Sequence, residues 1–516
     1  MVESENENLL FEEHRITGKQ QVLIVPSNAK SEWRGEVDGR HERKRSIIRY
    51  AVYPSLSSAM SGYCGGVMSG AVLFIKQEFK FNDLLEEVLM GSFVIVSFVG
   101  GIIAGFLADS IGRKKTIVVS AAIVLSGCIV IGLAPSYWFI LTGRLLTGIG
   151  SGFPYVIVPL YISEISPPES RGMLVTFPEI FVNSGILLGY LSGFCLAPLP
   201  VSVSWRLMLA IGGLLAVLVA CIAAFMPESP RWLVLQNRKQ EAIIVLVNTS
   251  ENDKKAHSRL ATIISAATDA NEESTSFQPV DASESDIEEA AKVKIQRNSV
   301  WRHLIWPNAR VRNILFAALG LQFFQQTSGI AAILYYAPSI FEKAGLTSKT
   351  GVLGGTLAVG VSKTLCILVA TYWIDRCGRK PLLLFSGLGM TVSMTMLATV
   401  FFYVSHQSEI SSSLPGFLAT AASCVFVAAF SMGFGPICGL ISSEIFPLRL
   451  RAQGMSLAVA LNRLMSGIMA TSFLTLSTIL TLQGSFLLFA AMSALSMLFV
   501  YLFIPETKGR SLEDII

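Results

Sequence analysis

Residues 109–115 read Asp-Ser-Ile-Gly-Arg-Lys-Lys (DSIGRKK), and residues 375–380 return as Asp-Arg-Cys-Gly-Arg-Lys (DRCGRK). In each copy the glycine permits a tight turn, and the acidic and basic side chains around it can pair. Two further units return in the same order. Glu164-Ile-Ser-Pro167 with Arg171 returns as Glu444-Ile-Phe-Pro447 with Arg451, and Pro227-Glu228-Ser229 returns as Pro505-Glu506-Thr507. The repeats predict a chain built from two similar halves.

The composition places both halves in a membrane. Of the 516 residues, 52% are hydrophobic and 15% are charged, against about 25% charged in an average soluble protein. Apolar runs of about 20 residues recur, and each can cross a bilayer as a helix. The runs do not alternate as barrel strands do. We predict an all-α membrane protein with twelve transmembrane helices, at 47–70, 88–110, 115–134, 137–161, 173–196, 205–226, 313–338, 352–374, 381–404, 415–442, 452–474 and 482–504.

Five regions follow from these spans. Residues 1–46 are predicted to be a disordered tail, 47–226 a first six-helix bundle, 227–312 a linker, 313–504 a second six-helix bundle and 505–516 a tail. The linker flanks have helical patterns, whereas its acidic, Ser-rich centre at 267–291 is predicted to be flexible. Parallel repeats of six spans favour two bundles related by an axis along the membrane normal, with a site between them.

Basic residues fall mainly on one side of this topology, in the segments 43–49, 113–115, 376–380, 449–451 and 508–510. The positive-inside rule makes that side, and both termini, cytoplasmic. Lys76, Lys80, Lys343 and Lys349 are the exceptions. Because the charges are spread over short loops, the expected partner is the lipid bilayer and not a nucleic acid.

Enzymatic, metal and cofactor functions have no support in the sequence. The eight cysteines form no C-x-x-C pair, and no H-E-x-x-H, G-x-S-x-G or G-x-x-x-x-G-K-[ST] motif occurs. We therefore predict no enzyme, no metal and no cofactor. The first apolar run has no small-residue cleavage site, so no secretory signal peptide is expected.

The repeated charges are interpreted as a cytoplasmic gate. Ion pairs between the bundle ends would hold that side shut while the protein faces outward. The alternative is a set of solvated surface pairs worth about 0–1 kcal/mol each, but repetition in both halves favours a gate. The predicted gate residues are Asp109, Arg113, Glu164, Arg171, Glu228, Arg231, Asp375, Arg379, Glu444, Arg451 and Glu506.

Together these motifs resemble the sugar porter family of the major facilitator superfamily, over nearly all of residues 47–510. Gly112-Arg113-Lys114, Pro227-Glu228-Ser229-Pro230-Arg231 and Gln325-Gln326-Thr-Ser328-Gly329-Ile330 carry the resemblance. The segments 176–190 and 442–454 are typical of plant polyol/monosaccharide transporters. The resemblance implies the major facilitator fold and transport, by alternating access, of a monosaccharide or polyol: a hexose, a linear polyol or a cyclitol.

Polar side chains inside spans are candidate substrate ligands. Gln322, Gln325 and Gln326 share one helix face, and amides both donate and accept hydrogen bonds. The resemblance implies substrate positions there and at Asn462. The alternative for each is a hydrogen bond between helices.

Charged and aromatic residues extend this site. Glu179 and Lys363 lie deep in spans of opposite halves, and we expect them to face the cavity, where they pair or bind substrate hydroxyls. Arg144 matches the family arginine near the proton site. Aromatic rings that can pack on a sugar are Phe177 and Tyr336, with Tyr335 and Phe430 as further candidates.

Three departures from the family pattern concern function. Cys64 stands where proton-coupled relatives carry Asp, and a neutral thiol cannot alternate in charge as a carboxyl does. Ala331 replaces a hydrogen-bonding Asp or Asn, and Gly439 replaces a Trp. The carrier is expected to work by facilitated diffusion, by proton symport with Glu179 as the proton carrier, or as a non-transporting sugar sensor. Transport is favoured because the glutamines and gate motifs are intact.

The sequence also leads to expectations about cellular location and oligomeric state. We expect a multi-pass protein of the plasma membrane that functions as a monomer. Glu5-Asn-Glu-Asn-Leu9-Leu10 has the form of an acidic di-leucine signal, which makes the vacuolar membrane the alternative.

Overall fold

The computed structural model describes residues 11–12, 23–24, 27–167, 173–250, 252–275, 309–406, 413–446 and 451–506. The first bundle contains helices α1 (Ser27–Phe79), α2 (Asp83–Ile111), α3 (Arg113–Gly132), α4 (Tyr137–Ile165), α5 (Phe177–Leu196) and α6 (Val201–Ala223). The linker contains α7 (Pro230–Leu235), α8 (Lys239–Thr249) and α9 (Asp253–Thr275). The second bundle contains α10 (Ala309–Thr327), α11 (Ile330–Lys343), α12 (Lys349–Cys377), α13 (Arg379–His406), α14 (Leu414–Met432), α15 (Phe434–Ile445), α16 (Arg451–Ile479) and α17 (Thr481–Phe503).

Twelve crossings arise from these helices. Within the described residues, eleven helical segments are long and apolar enough to cross a membrane. The remaining crossing is the predicted span 313–338, and the prediction of one continuous helix there was wrong. It is two helices, α10 and α11, which meet at Gly329, whose φ of +93° ends one and starts the other. The tenth span is likewise divided, between α14 and α15 at Gly433.

The described part of the N-terminal tail contains a strand pair and the start of α1. α1 begins at Ser27 and continues into the membrane without interruption, and the disorder of the tail at 1–46 stays a prediction. A two-residue antiparallel pair joins β1 (Phe11–Glu12) to β2 (Leu23–Ile24). α9 extends through Thr275, which is inside the stretch expected to be flexible. The remainder of that stretch and the sorting motif at residues 5–10 lie outside the described residues.

Small residues allow the helices of the first bundle to approach closely, as is common in membranes. A Cβ atom at Gly62 of α1 would lie 2.0 Å from the carbonyl oxygen of Val182 on α5. At the same crossing, a Cβ at Gly185 would lie 2.0 Å from the carbonyl oxygen of Ala59. Only glycine fits at these positions, and α1 is thereby held against α5.

The linker packs on the first bundle. Arg259 of α9 donates from Nη2 to the carbonyl oxygens of Ile165 and Ser166, at 3.2 and 3.1 Å, at the end of α4. We call the ends of the bundles that carry this linker the linker side, and the opposite ends the far side.

The repeated turns share one construction. Gly112 and Gly378 have φ of +95° and +90° and precede α3 and α13. Glu228 accepts hydrogen bonds from the backbone nitrogens of Arg113 and Lys114, at 2.9 and 3.2 Å. In the second half, Glu506 accepts from the backbone nitrogens of Arg379 and Lys380, at 3.1 and 3.0 Å. Each carboxylate therefore caps the first turn of a helix, where negative charge is stabilising.

The ion pairs of Arg113 lie within the first bundle. Arg113 forms an ion pair with Glu164 at 3.0 Å and one with Asp109 at 3.4 Å. All three belong to the first bundle, and Arg231 is exposed. Arg171 and the side chains of Asp375, Glu444 and Arg451 lie outside the described residues. A cross-bundle gate in an outward-facing state stays a prediction.

Contacts between the bundles are found on the far side. Glu87 of α2 accepts a hydrogen bond from the backbone nitrogen of Thr475 on α16 at 2.7 Å. Lys349 of α12 donates to Gln77 of α1 at 3.0 Å. These bonds join the two halves beyond the central site.

Candidate functional site

A cavity of about 340 Å³ lies between the bundles. It is lined from the first bundle by residues of α1, α4 and α5 and from the second by residues of α10, α11, α12, α14, α15 and α16. Its lining includes Val175 and Pro178, at the start of α5 on the linker side. Because the far side is bridged by inter-bundle hydrogen bonds, the cavity extends toward the linker side.

Four amides form a network on the wall supplied by the second bundle. Asn462 on α16 donates to Oε1 of Gln322 at 2.8 Å and to Oε1 of Gln325 at 2.6 Å. Its own Oδ1 accepts from Nε2 of Gln326 at 3.2 Å. Gln325 also donates to the carbonyl oxygen of Phe434, beside the α14–α15 break, at 2.7 Å. The network fixes the amide orientations and presents them to the cavity.

Charged side chains lie around the amides. Glu179 of α5 and Lys363 of α12 both line the cavity, and they come from opposite bundles as predicted. Oε1 of Glu179 accepts a hydrogen bond from Asn183 at 3.2 Å. Among the described residues, Lys363 forms no hydrogen bond, and it forms no ion pair with Glu179. Its ammonium group, on a side chain that is nine-tenths buried, is therefore available to a solute.

The aromatic predictions are partly corrected. Tyr335 and Phe430 line the cavity, whereas Tyr336 does not. Tyr336 is buried, donates its hydroxyl to the carbonyl oxygen of Ala470 at 2.6 Å and packs against Phe473. Adjacent residues on a helix point about 100° apart, and here Tyr335 points to the cavity while Tyr336 points into the packed interior. Phe177 is half-buried, packs against the core of the first bundle and is also absent from the lining.

Two of the positions at which the sequence departs from the family pattern lie in the cavity wall. Ala331 and Gly439 both line it. A Cβ atom at Gly439 would have no neighbour within 4 Å. The wall therefore has open space at Gly439. At Ala331 it lacks a hydrogen-bonding group.

Cys64 and Arg144 lie apart from this cavity, in the interior of the first bundle. Both are buried, and Nη1 of Arg144 donates to the carbonyl oxygen of Cys64 at 2.6 Å. They line a separate small cavity with Cys128, Thr147 and Tyr63. The arginine therefore contacts the backbone of residue 64 and is not paired with an acidic side chain there.

Sequence reasoning missed Arg463, Tyr155 and Ser466, which also line the central cavity. The guanidinium carbon of Arg463 lies 4.0 Å from the ring centroid of Tyr155, so the pair joins α16 to α4. A charged residue within a span is a signal in itself. Arg463 follows Asn462 directly and could have been found on that ground.

Known proteins resemble the chain over most of its length. The family described as Sugar (and other) transporter matches residues 50–516. Polyol transporter 5 of Arabidopsis thaliana is 45% identical over 474 residues, covering 92% of this chain and 86% of its own. Probable polyol transporter 4 of the same plant is 44% identical over 481 residues, with 93% and 86% covered.

The fold has solved counterparts. A structure of the proton:xylose symporter XylE bound to 6-bromo-6-deoxy-D-glucose has a TM-score of 0.69 and 26% identity, covering 92% of this chain and 99% of that one. A partially occluded, inward-open structure of the xylose transporter XylE from E. coli also has a TM-score of 0.69, with 25% identity and 90% and 100% covered. These relatives are transporters and not enzymes. The chain belongs to the sugar transporter family and has the major facilitator fold.

Proposed function

We propose that this protein carries a monosaccharide or polyol across a membrane by alternating access. The observation that carries the proposal is the cavity between the bundles with its four linked amides. Its volume of about 340 Å³ falls within the range for small-molecule sites. Amides that donate and accept suit the vicinal hydroxyls of such solutes. The sugar and polyol transporters among its relatives support the same substrate class.

The transport is proposed to be facilitated diffusion. Cys64 occupies the position where proton-coupled relatives carry Asp, and no carboxylate of a described residue pairs with Arg144. A neutral thiol offers no charge that can alternate with proton binding. The solute gradient alone would then drive transport.

Proton symport with Glu179 as the proton carrier is the second candidate. The carboxylate of Glu179 lines the cavity, and Lys363 lines the same cavity from the opposite bundle. A change in the protonation of Glu179 would change the charge of the site between the bundles. An ionisable group between the two bundles supports this candidate, because symport requires one.

The orientation and location belong to the same proposal. The linker side carries most of the loop arginines and lysines, so it is proposed to be cytoplasmic, together with both termini. In that orientation the cavity faces the cytoplasm. The plasma membrane is the proposed location, with the vacuolar membrane as the alternative.

The test is uptake of labelled glucose, sorbitol and myo-inositol by yeast cells that lack their own carriers. It is run at acidic and neutral pH, with and without a protonophore. Saturable uptake that is indifferent to both treatments is expected for facilitated diffusion. Uptake that collapses with the protonophore and in Glu179→Gln would instead indicate symport. The control variant, Glu241→Gln on the exposed linker surface, should not affect uptake.

Surface expression is measured in the same cells. A protein that reaches the surface and takes up none of these solutes would contradict transport and favour the sensor. Gln326→Leu is a further control, because it removes one amide from the cavity and should reduce any uptake that uses this site.

A further inference from the structure

A small cavity beside Arg144 is separate from the solute cavity. Arg144 is 1% exposed and lies near the start of α4. Nη1 is used in its bond to the carbonyl oxygen of Cys64, but Nε and Nη2 have no hydrogen-bond partner in the protein. The guanidinium carbon lies 4.2 Å from the ring centroid of Phe93. A face of an aromatic ring attracts a cation but does not neutralise it.

The walls of this cavity donate hydrogen bonds and contain no acidic residue. Besides Arg144 they include Tyr63, Cys64, Cys128, Thr147 and the apolar residues Val67 and Ile131. The hydroxyl of Tyr63 already donates, to the carbonyl oxygen of Met208 at 2.6 Å, and that of Thr147 donates to the carbonyl oxygen of Arg144 at 3.0 Å. The groups left to face the cavity are the two guanidinium nitrogens, which are donors, and the two thiols, which are weak donors and weak acceptors.

A positive charge that is buried without a counter-charge is strongly destabilising. The described residues supply no carboxylate partner for Arg144. A cation, free N–H groups and thiol donors around one cavity are together the chemistry of an anion site. A water molecule would accept some of these hydrogen bonds but would leave the charge unbalanced.

The size of the cavity limits which anion fits. Its volume is about 10 Å³, close to the smallest space that holds one water-sized particle. Chloride is the common anion nearest to this size, whereas sulfate, phosphate and carboxylic acids are far larger. We propose that the Arg144 cavity binds one chloride ion, which supplies the negative charge that a carboxylate at position 64 would otherwise provide.

The ion would also sit next to the transport pathway. A Cβ atom at Gly65, one residue after Cys64, would lie 3.6 Å from the Phe93 ring and 4.0 Å from the hydroxyl of Tyr335. Tyr335 lines the central cavity. Loss of the ion would therefore disturb α1 and α4 where they face the solute, and chloride should influence uptake as well as stability.

The first test measures stability and needs no transport. The full chain is purified in detergent, and its thermal unfolding is followed in sodium chloride, bromide, gluconate and sulfate at equal ionic strength. Chloride and bromide should raise the unfolding temperature saturably, because a ligand that binds only the folded state stabilises it. Gluconate and sulfate should not. Equal unfolding temperatures in all four salts would overturn the proposal.

Three variants locate the effect. Cys64→Asp supplies a built-in carboxylate, so its unfolding temperature should be independent of chloride, and it should be at least as stable as the wild type without chloride. Arg144→Gln removes the charge and should also lose the response. Cys221→Ser, at an exposed thiol, should respond as the wild type does. A chloride response that persists in Cys64→Asp would place the site elsewhere and overturn the proposal.

Cys64→Ser excludes a thiolate as the counter-charge. Serine keeps a donor of similar size without an accessible negative charge, so this variant should retain the chloride response. If the wild type shows no response and Cys64→Ser is destabilised, the thiolate is the counter-charge and the chloride site is wrong. In the uptake assay, replacing external and internal chloride with gluconate should reduce transport several-fold in the wild type and not in Cys64→Asp. Because the stability readout needs no solute, failure of transport and failure of the chloride site can be told apart.

Discussion

At the scale of single residues, the polar side chains of the spans were predictable and their orientations were not. Gln322, Gln325, Gln326 and Asn462 could be selected because polar groups inside lipid are rare and need partners. The choice between Tyr335 and Tyr336 depends on the rotation of α11, which follows the break at Gly329 and leaves no periodic signal in so short a helix. Arg463 was overlooked although its charge marks it as clearly as Lys363.

Lys363→Met should weaken solute binding without destabilising the fold. The substitution keeps an unbranched side chain but removes the cavity-facing ammonium. A hydrogen bond to a charged group contributes about 1.5 kcal/mol or more, so KM should rise roughly tenfold. The measurement is uptake kinetics for sorbitol and glucose, with Lys239→Met at the exposed start of α8 as the matched control. An unchanged KM would show that Lys363 does not contact the solute.

Gly439→Trp tests the open space in the wall. Because a Cβ there meets nothing within 4 Å, Gly439→Ala should leave uptake and stability unchanged. The tryptophan would close over a sugar, so KM for glucose should fall, while inhibition by bulky phenyl glycosides should be lost. Competition of labelled glucose uptake by phenyl glucoside measures both effects. Equal inhibition of wild type and Gly439→Trp would contradict this assignment of the space.

At the scale of helices, the two halves are built alike but their central helices are broken. The length and hydropathy of the apolar runs located every crossing. They predicted a continuous helix at 313–338, because a single glycine in an apolar run is a weak indication of a helix break. The left-handed conformation of Gly329 shows only in the backbone. The break orients Gln325 and Gln326 before it and Ala331 after it toward one cavity.

Gly329→Ala should destabilise the protein. The φ of +93° is strained for any other residue, and the new Cβ would lie 2.7 Å from the Phe489 ring. Strain of this kind costs of order 1–3 kcal/mol, so the unfolding temperature and the uptake should both fall. Gly105→Ala is the control, because its Cβ would have no neighbour within 4 Å. A stable, active Gly329→Ala protein would mean that the break does not need glycine.

At the scale of the whole molecule, the bundles are separate units, and hydrogen bonds bridge their ends on the far side. The repeats predicted the two units, since each copy of the Gly-Arg-Lys turn is capped by a carboxylate from its own half. The side on which the bundles meet depends on the conformational state and could not be read from the sequence. Glu87–Thr475 and Lys349–Gln77 show that the far side is the closed one here.

Fixing the far side should stop transport. In a Gln77→Cys/Lys349→Cys double variant, a short bis-maleimide should join α1 to α12, because the native side chains are hydrogen-bonded at 3.0 Å. Alternating access requires these ends to separate, so cross-linked protein should lose uptake. The variants with only Gln77→Cys or only Lys349→Cys, treated with the same reagent, should keep it. Full uptake by the cross-linked protein would show that this contact does not open during transport.

The docking of α9 through Arg259 on the end of α4 also matters for imaging. A 55.9 kDa protein that is mostly within a detergent micelle offers little density outside it for aligning particles in electron cryo-microscopy. Because α9 is bonded to α4, an antibody fragment raised against α8 and α9 would move with the first bundle as a rigid marker. Such a marker would let images of different states be aligned on one bundle, and the displacement of the other could then be measured directly.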